Sequence, residues 1–481
     1  MKRMQLCGFL CAAGLPAVHK RSLSERNHKQ KGVFDFMEQT FMKERKIMPL
    51  VLSMSLPMVI SMAVNSLYNI VDSYFVAQYS EDAMTALALV YPVQNLINAI
   101  TIGFGIGINA ITAFYLGADE KEKADRAATQ GMFFNFIHGA VLAVLCIAFM
   151  PLFLKAFSTG DATAQMAIAY ANRAFLFAPV IGLSLAFEKI YQSVGSMKVT
   201  MICMMCGFVA NIILDPLMIF GIGFFPVMGV AGAAYATGIG QCISLAVYVV
   251  FYFYRPLPIK FKKEYLGADK EVLAKVYAVG IPAALNMALP SLLISVLNGI
   301  LAGFSDKYVL VLGVYYKLQT FIYLTANGII QGIRPLVGYN YGAGEHKRVE
   351  EICKTTLKLS MGVMAVGTVL SWAVPAQLIG LFTSTPETIE MGVRALHIIS
   401  LGFIVSAVSV TCSGVLEGLG KGKASLYISL ARYAAVIIPA AFLFSRIAGA
   451  DGVWYAFCFT EFVSAGFAYF TYRKNHKRAA A

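Results

Sequence analysis

The chain has 481 residues, 58% of them hydrophobic and only 14% charged, with a formal net charge of +13. A soluble protein of this length carries about 25% charged residues, so the composition excludes a large soluble domain and points to an all-α membrane protein. The excess of positive charge does not indicate nucleic acid, because the lysines and arginines collect in short loops between apolar runs, where they set membrane orientation.

The chain opens with MKRMQLCGFLCAAGLPAV, a basic start and an apolar stretch too short to cross a bilayer, followed by the polar HKRSLSERNHKQKG. Residues 1–45 are expected to be a disordered cytoplasmic tail, or to lie upstream of a start at Met37 or Met42. From there, apolar runs of the length a bilayer requires recur twelve times. They fall near 49–78, 84–116, 128–152, 164–193, 198–222, 229–254, 272–304, 309–341, 349–380, 388–418, 424–446 and 451–472.

Basic residues alternate with these runs. One set of loops holds Lys43, Arg45 and Lys46, then Lys121, Lys123 and Arg126, then Lys198, then a cluster from Arg255 to Lys275. It continues with Lys347, Arg348 and Lys354, with Lys421 and Lys423, and ends with Arg473, Lys474, Lys477 and Arg478. The alternate loops hold only Lys155, Lys307 and Arg446. The phase persists across all twelve runs and places both termini in the cytoplasm.

The second half repeats the first at an offset of 225. Pro57, Tyr91, Gln94, Gly103, Gly107 and Gly117 return as Pro282, Tyr316, Gln319, Gly328, Gly332 and Gly342. SVGSMK (193–198) answers GLGKGK (418–423), and GVAGAAYATGIGQ (229–241) answers GADGVWYAFCFTE (449–461) at an offset of 220. The expected organisation is two pseudo-symmetric six-helix bundles, 46–260 and 271–475, joined by a cytoplasmic loop 261–270 and followed by a tail 476–481. Both halves begin on the same side, so the axis relating them runs along the membrane normal, as in transporters with a cavity between parallel repeats. A duplication that merely enlarges a bundle is the plainer alternative.

An ionisable residue inside the membrane is expensive and marks a functional site by default. In the first helix, NSLYNIVD places Asn65, Tyr68, Asn69 and Asp72 on one face. In the fifth, ANIILDP places Asn211 and Asp215 four apart. Both helices run outward, and Asp215 stands roughly 25 Å along its own at 1.5 Å per residue, at a depth similar to that of Asp72. Two such carboxylates can bind a hard cation through oxygen ligands, or, desolvated side by side, hold a proton between them. A single Asp paired to an Arg or a helix end is the competing reading of each.

Other polar groups carry weaker signals. Arg173 and Arg394 read as snorkelling or helix-pairing residues, and His138 and His397 as helix-packing residues. Gln192 and Glu417 are expected to cap or pair with the GSMK and GKGK loops. Lys317, Arg334 and Arg432 are candidates to line a cavity. Pro57, Pro179, Pro282, Pro335 and Pro439 interrupt helices and permit kinks. Cys203 and Cys206 read as small packing residues, since no second Cys or His pair completes a metal site. There is no Walker motif, no HExxH and no GxSxG elbow, and DEKEKAD (119–125) reads as a solvated loop.

Taken together, SLPM (55–58), LYNIVDSYFVAQ (67–78), GINAITAFYLGADEKEKADRA (107–127), ANIILDPLMIFGIG (210–223), GVAGAAYATGIGQ (229–241) and GIIQGIRPLVGYNYGAG (328–344) resemble the multidrug and toxic compound extrusion family over residues 40–475. The resemblance implies a V-shaped pair of six-helix lobes and alternating access. It implies efflux of drugs or other small amphipathic or cationic compounds in exchange for H⁺ or Na⁺, without a cofactor. It makes Asp72 and Asp215 the cation-site carboxylates, with Na⁺ possible there, and Asn211 and Thr237 their oxygen-bearing neighbours, with Asn69 beside them. It makes Tyr68, Asn65 and Tyr91 cavity residues and Pro57 a bend point. Leu297 stands opposite Asp72 in the repeat and the eleventh helix has no Asp, which argues for coupling through the first half.

The leading expectation is a monomeric secondary antiporter in the inner (cytoplasmic) membrane of a bacterium, with small organic substrates and the lipid bilayer as partners. A flippase for polyprenyl-linked lipids is the alternative; it would turn Lys317, Arg334 and Arg432 into a cavity to hold a pyrophosphate. A membrane-embedded enzyme would need clustered carboxylates or histidines at the cytoplasmic face, which the sequence does not show.

Overall fold

The computed structural model describes residues 40–155 and 161–480, with side chains described as far as Asn475. The expectations for residues 1–39 lie outside the described residues. The chain divides into a unit ending at Glu44, of which one helical turn, Phe41–Glu44, is described, and a compact unit Arg45–Ala481.

The second unit is helical throughout. In chain order its helices are α1 (Ile47–Tyr79), α2 (Glu81–Gly117), α3 (Lys121–Lys155), α4 (Asp161–Leu176), α5 (Ala178–Ser193), α6 (Met197–Phe220) and α7 (Val230–Tyr254). After a 3₁₀ turn at Lys263–Tyr265 come α8 (Lys270–Ala302), α9 (Asp306–Gly342), α10 (His346–Ala373), the short α11 (Pro375–Gly380), α12 (Pro386–Ser400) and α13 (Phe403–Gly418). The last are α14 (Gly422–Leu430), a π-helical segment Ala431–Val436, α15 (Ile437–Ala448) and α16 (Asp451–Ala480). Among the described residues, nine helices are long and apolar enough to cross a membrane, with the run Gly422–Ala448 taken as one. Two bent pairs qualify together, α4–α5 at 44° and α12–α13 at 55°. With α16 these match the twelve expected segments.

The differences have local causes. Pro179 cannot donate to the carbonyl one turn back, and the fourth span breaks at Phe177. The ninth ends at Ala373 because Pro375 follows, and α11 is a separate turn. The π-segment lies one turn before Pro439. At the C-terminus, α16 continues as helix through Ala480, across the expected tail.

The repeat is visible in details. Ser80 caps α2 by accepting from the Ala83 amide at 3.0 Å, and Ser305, 225 residues on, caps α9 by accepting from Lys307 at 3.3 Å. After each of these helices the chain needs one left-handed residue. The second half supplies Gly344 (φ 75°); the first uses Asp119 (φ 59°), whose short polar side chain tolerates that region.

The repeated glycines lie where the halves touch. Gly103 and Gly107 of α2 press on α8, and a Cβ at Gly103 would stand 2.5 Å from the Ala284 nitrogen. Gly328 and Gly332 of α9 press on α1, where Cβ atoms would stand 2.7 Å from the Cα of Val59 and 2.6 Å from that of Ser55. Val59 and Ser55 are the repeat mates of Ala284 and Gly280, so one contact is made twice across the axis. Gly117 and Gly342 complete it against the carbonyls of Tyr339 and Phe114. Small residues permit such backbone approach where apolar burial supplies no drive between helices. Around this seam, His138 Nε2 meets the Tyr277 hydroxyl at 2.8 Å, and Lys275 Nζ donates to the Tyr115 hydroxyl at 3.0 Å.

Gly332→Leu should therefore force α1 and α9 apart, whereas Gly362→Leu enters open space. The expected loss for the first is about 1–3 kcal/mol, read as a lower thermal unfolding midpoint in detergent; equal midpoints for the two variants would show that the close approach is dispensable.

Candidate functional site

Close packing of α6 on α7 comes first. Gly207 and Gly240 face each other, and a Cβ on either would stand 2.8 Å from the other's carbonyl oxygen. That approach brings Asn211 of α6 beside Thr237 of α7. Asn211 Nδ2 donates to Thr237 Oγ1 and to Asp215 Oδ1, both at 3.3 Å. Asn211 and Asp215 are buried.

Helix α1 closes the site from the other side. Tyr68 stacks on Phe208 of α6 with ring centroids 4.9 Å apart and planes 10° from parallel. One turn on, the Asp72 carboxyl lies within hydrogen-bonding reach of the Asp215 carboxyl. The two acids are thus adjacent and face the protein interior. Asp72 Oδ1, Asp215 Oδ2 and Asn211 Oδ1 are all buried without a hydrogen-bond partner, and among the described residues no basic side chain forms an ion pair with either acid. Two carboxylates in contact repel unless a cation or a proton stands between them. The three unpartnered oxygens are hard donors suited to a small cation such as Na⁺, and no cluster of three His, Cys, Asp or Glu side chains that could hold a metal is found among the described residues.

Two expected members stand apart. Asn69 is exposed, and its Nδ2 donates to the backbone carbonyl and Oδ1 of Asn65 at 2.7 and 2.8 Å. These two amides satisfy each other along α1 rather than joining Asp72. Tyr91 is 65% exposed. Two residues of the site were not anticipated: Tyr170 of α4 is buried within electrostatic reach of Asp72, Asp215 and Tyr68, and its hydroxyl lies near the side chain of Gln94 of α2. Gln94 could have been found, since it recurs as Gln319.

Elsewhere charges are neutralised. Lys189 Nζ lies 2.6 Å from Glu188 Oε1, and Gln192 bonds to both. Glu417 pairs with Arg334 at 2.7 Å and accepts from Asn286 and Ser425. The side chains of Gln192 and Glu417 therefore pair with buried neighbours, because a buried acceptor needs a buried donor, while their backbone carbonyls accept from Gly195 and Gly420 of the GSMK and GKGK loops at 2.9 and 3.0 Å. Arg394 pairs with Asp451 at 2.8 Å, and Arg173 donates to the Ala169 carbonyl at 2.7 Å. His397 stacks on Trp372. Lys317 is exposed and lies over the Phe382 ring, while Arg334 and Arg432 line cavities of the second half. Cys203 and Cys206 are free thiols.

Known proteins resemble this chain in sequence and in fold. A family model described as MatE matches residues 57–217 and 282–443, more than half of the chain. The Multidrug export protein MepA of Staphylococcus saprophyticus subsp. saprophyticus is 26% identical over 412 residues, which span 85% of this chain and 90% of that protein. The protein of the same name from Staphylococcus aureus is 25% identical over 413 residues, with the same coverage. An outward-facing multidrug resistance MATE family transporter of the MOP superfamily has the same fold, with a TM-score of 0.87 at 22% identity over 92% of this chain and 99% of that one. A MOP superfamily transporter from Pyrococcus furiosus gives a TM-score of 0.86 at 22% identity over the same shares.

The bridging amide of Asn211 should be the structural keystone of the acid pair. Asn211→Leu leaves Asp215 Oδ1 and Thr237 Oγ1 without their donor, and a loss of about 1–3 kcal/mol is expected. Thr237→Val, which removes one acceptor, should cost less in the same thermal unfolding measurement; the reverse order would contradict the bridge.

Proposed function

The chain belongs to the multidrug and toxic compound extrusion (MatE) family, whose members are membrane transporters and not enzymes, and on that premise we propose that it is a secondary antiporter that expels small amphipathic or cationic organic compounds in exchange for H⁺ or Na⁺. The observation that carries the reading is the pair of adjacent acids with three unpartnered buried oxygens and no basic partner. A site with that donor set gains from a proton or a small cation in a way a buried ion pair does not. The names of the staphylococcal relatives, multidrug export proteins, support the direction and breadth of transport.

On this reading an external cation enters between Asp72 and Asp215, with Asn211 and Thr237 beside it and Asn69 held one turn away by Asn65, while Tyr68, Asn65 and Tyr91 face the substrate path. The ion shifts the balance of outward- and inward-facing states only by its difference in affinity for the two. The lobes are 46–260 and 271–475. Pro57 is the hinge: it lies on α1 between Ser55 and Val59, the residues on which Gly332 and Gly328 press. The basic loops put both termini in the cytoplasm of a bacterial inner-membrane protein, working as a monomer with no cofactor beyond the coupling ion. The flippase alternative asks for free cavity cations, yet Arg334 and Arg432 are each ion-paired to a glutamate, and a pyrophosphate would have to displace those carboxylates first.

The test is ethidium efflux in proteoliposomes with each gradient imposed alone. Efflux should follow one inward gradient, of H⁺ or of Na⁺. If the ion is H⁺, raising the outside pH should slow it, since fewer protons load the acids. Asp215→Asn should bring gradient-driven efflux to background; undiminished transport would remove the mechanism.

A further inference from the structure

A cavity of ≈ 370 Å³ lies in the second half, where α9, the π-segment, α15 and α16 meet α8 and α1. Its aromatic walls are Tyr316, Tyr323, Tyr433 and Phe457. Arg432 and Glu461, 7% and 9% exposed, form its charged wall. Arg432 Nε and Nη2 both donate to Glu461 Oε1, at 3.0 and 2.5 Å, and Nη2 also donates to the Tyr323 hydroxyl at 3.2 Å. The second carboxylate oxygen, Glu461 Oε2, is buried and unpartnered, and so are the hydroxyls of Tyr316 and Thr460, which line the same cavity.

Buried polar atoms are nearly always hydrogen-bonded, and three exceptions around one cavity call for an occupant. Its chemistry follows from theirs. Oε2 only accepts, so the occupant presents an N–H or O–H, while the two hydroxyls can donate or accept. The charges of Arg432 and Glu461 cancel. A cation would add uncompensated charge beside the guanidinium, an anion beside the carboxylate, and neither is tolerated in a membrane interior without a partner. Rings on several sides favour an aromatic body.

We propose that this cavity is a substrate subsite for net-neutral, including zwitterionic, aromatic compounds that carry an N–H donor, with Glu461 receiving that donor and Arg432 holding Glu461 in place. The proposal rests on the transporter reading above and assigns it a substrate class distinct from the cation that the first half takes. The duplication explains how one architecture holds both. The repeat mate of Arg432 is Gly207, whose lack of a side chain lets α6 and α7 close around Asn211 and Thr237. In the second half an arginine occupies that position, on a π-turn, a feature frequent at functional sites. The bend at Gly402 makes room for its partner, since a Cβ there would stand 3.1 Å from Glu461 Cγ.

The experiment uses the full chain in lipid nanodiscs without any gradient, so a failure of ion coupling leaves it intact and its own failure leaves the efflux test intact. Three dyes on one xanthene scaffold are titrated by fluorescence anisotropy: a rhodamine with unalkylated amino groups and a free carboxylate (zwitterion), its methyl ester (cation) and fluorescein (anion). Arg432→Gln combined with Glu461→Gln keeps the site neutral but removes the paired charges. Affinity for the zwitterion should fall at least about tenfold, with smaller changes for the other two. Should the double variant fail to fold, Tyr316→Phe, which deletes only an unpartnered hydroxyl, should weaken the zwitterion by about threefold. An unchanged zwitterion affinity, or a loss shared equally by the three dyes as expected of a merely structural ion pair, overturns the proposal.

Discussion

A charge in an apolar interior must be answered by another, and that constraint organises this molecule. Glu188 is answered by Lys189, Glu417 by Arg334 and Glu461 by Arg432, and all of these side chains are largely buried. Each pair can break roughly even between desolvation and attraction, and becomes costly only when one member is lost. Asp72 and Asp215 depart from the pattern, because like faces like. Their neighbours are an amide, a hydroxyl and aromatic rings, which hydrogen-bond or shield without neutralising. Among the described residues the fold satisfies its other buried acids with basic side chains and leaves these two to each other, the contrast on which the proposed cation exchange rests.

Helix approach precedes the chemistry. The acids lie on helices that are apolar nearly all round, so nothing in their amphipathicity orients them. Backbone contact does: Gly207 against Gly240 sets α6 on α7, and the repeated glycines of α2 and α9 set each half on the other. Contacts of this kind interlock few long side chains. They can part along a whole face without unpacking a core, a property that a protein with two access states requires.

Much of this was legible in the sequence. The twelve apolar segments, the repeat and the basic-loop alternation are long-range periodicities that local packing cannot override. The spacing of Asn211 and Asp215 on α6, and of Tyr68 and Asp72 on α1, likewise survives into the structure. What was not legible depends on partners chosen in three dimensions. Asn69 shares a helical face with Asp72, yet its amide is taken up by Asn65 one turn back. Glu188 and Lys189 are sequence neighbours, about 100° apart around a helix, and spacing alone did not suggest that they would pair. Tyr170 reaches the acids from α4, a different helix from either, and Glu417 finds Arg334 on another helix.

Helix α1 connects the two regions that matter. Its Met62 and Ser66 line the cavity that holds Arg432 and Glu461, while Tyr68 and Asp72, on the adjacent face, belong to the acid pair. Ser66, on the cavity wall, stands less than two turns of α1 from Asp72, but a net-neutral cavity offers little net charge through which the acids could act on its occupant. Coupling between ion and substrate would then have to be mechanical, carried by a helix that cannot bend at Pro57 without moving both of its faces. The ion would set the position of α1 from one side and the substrate would read it from the other.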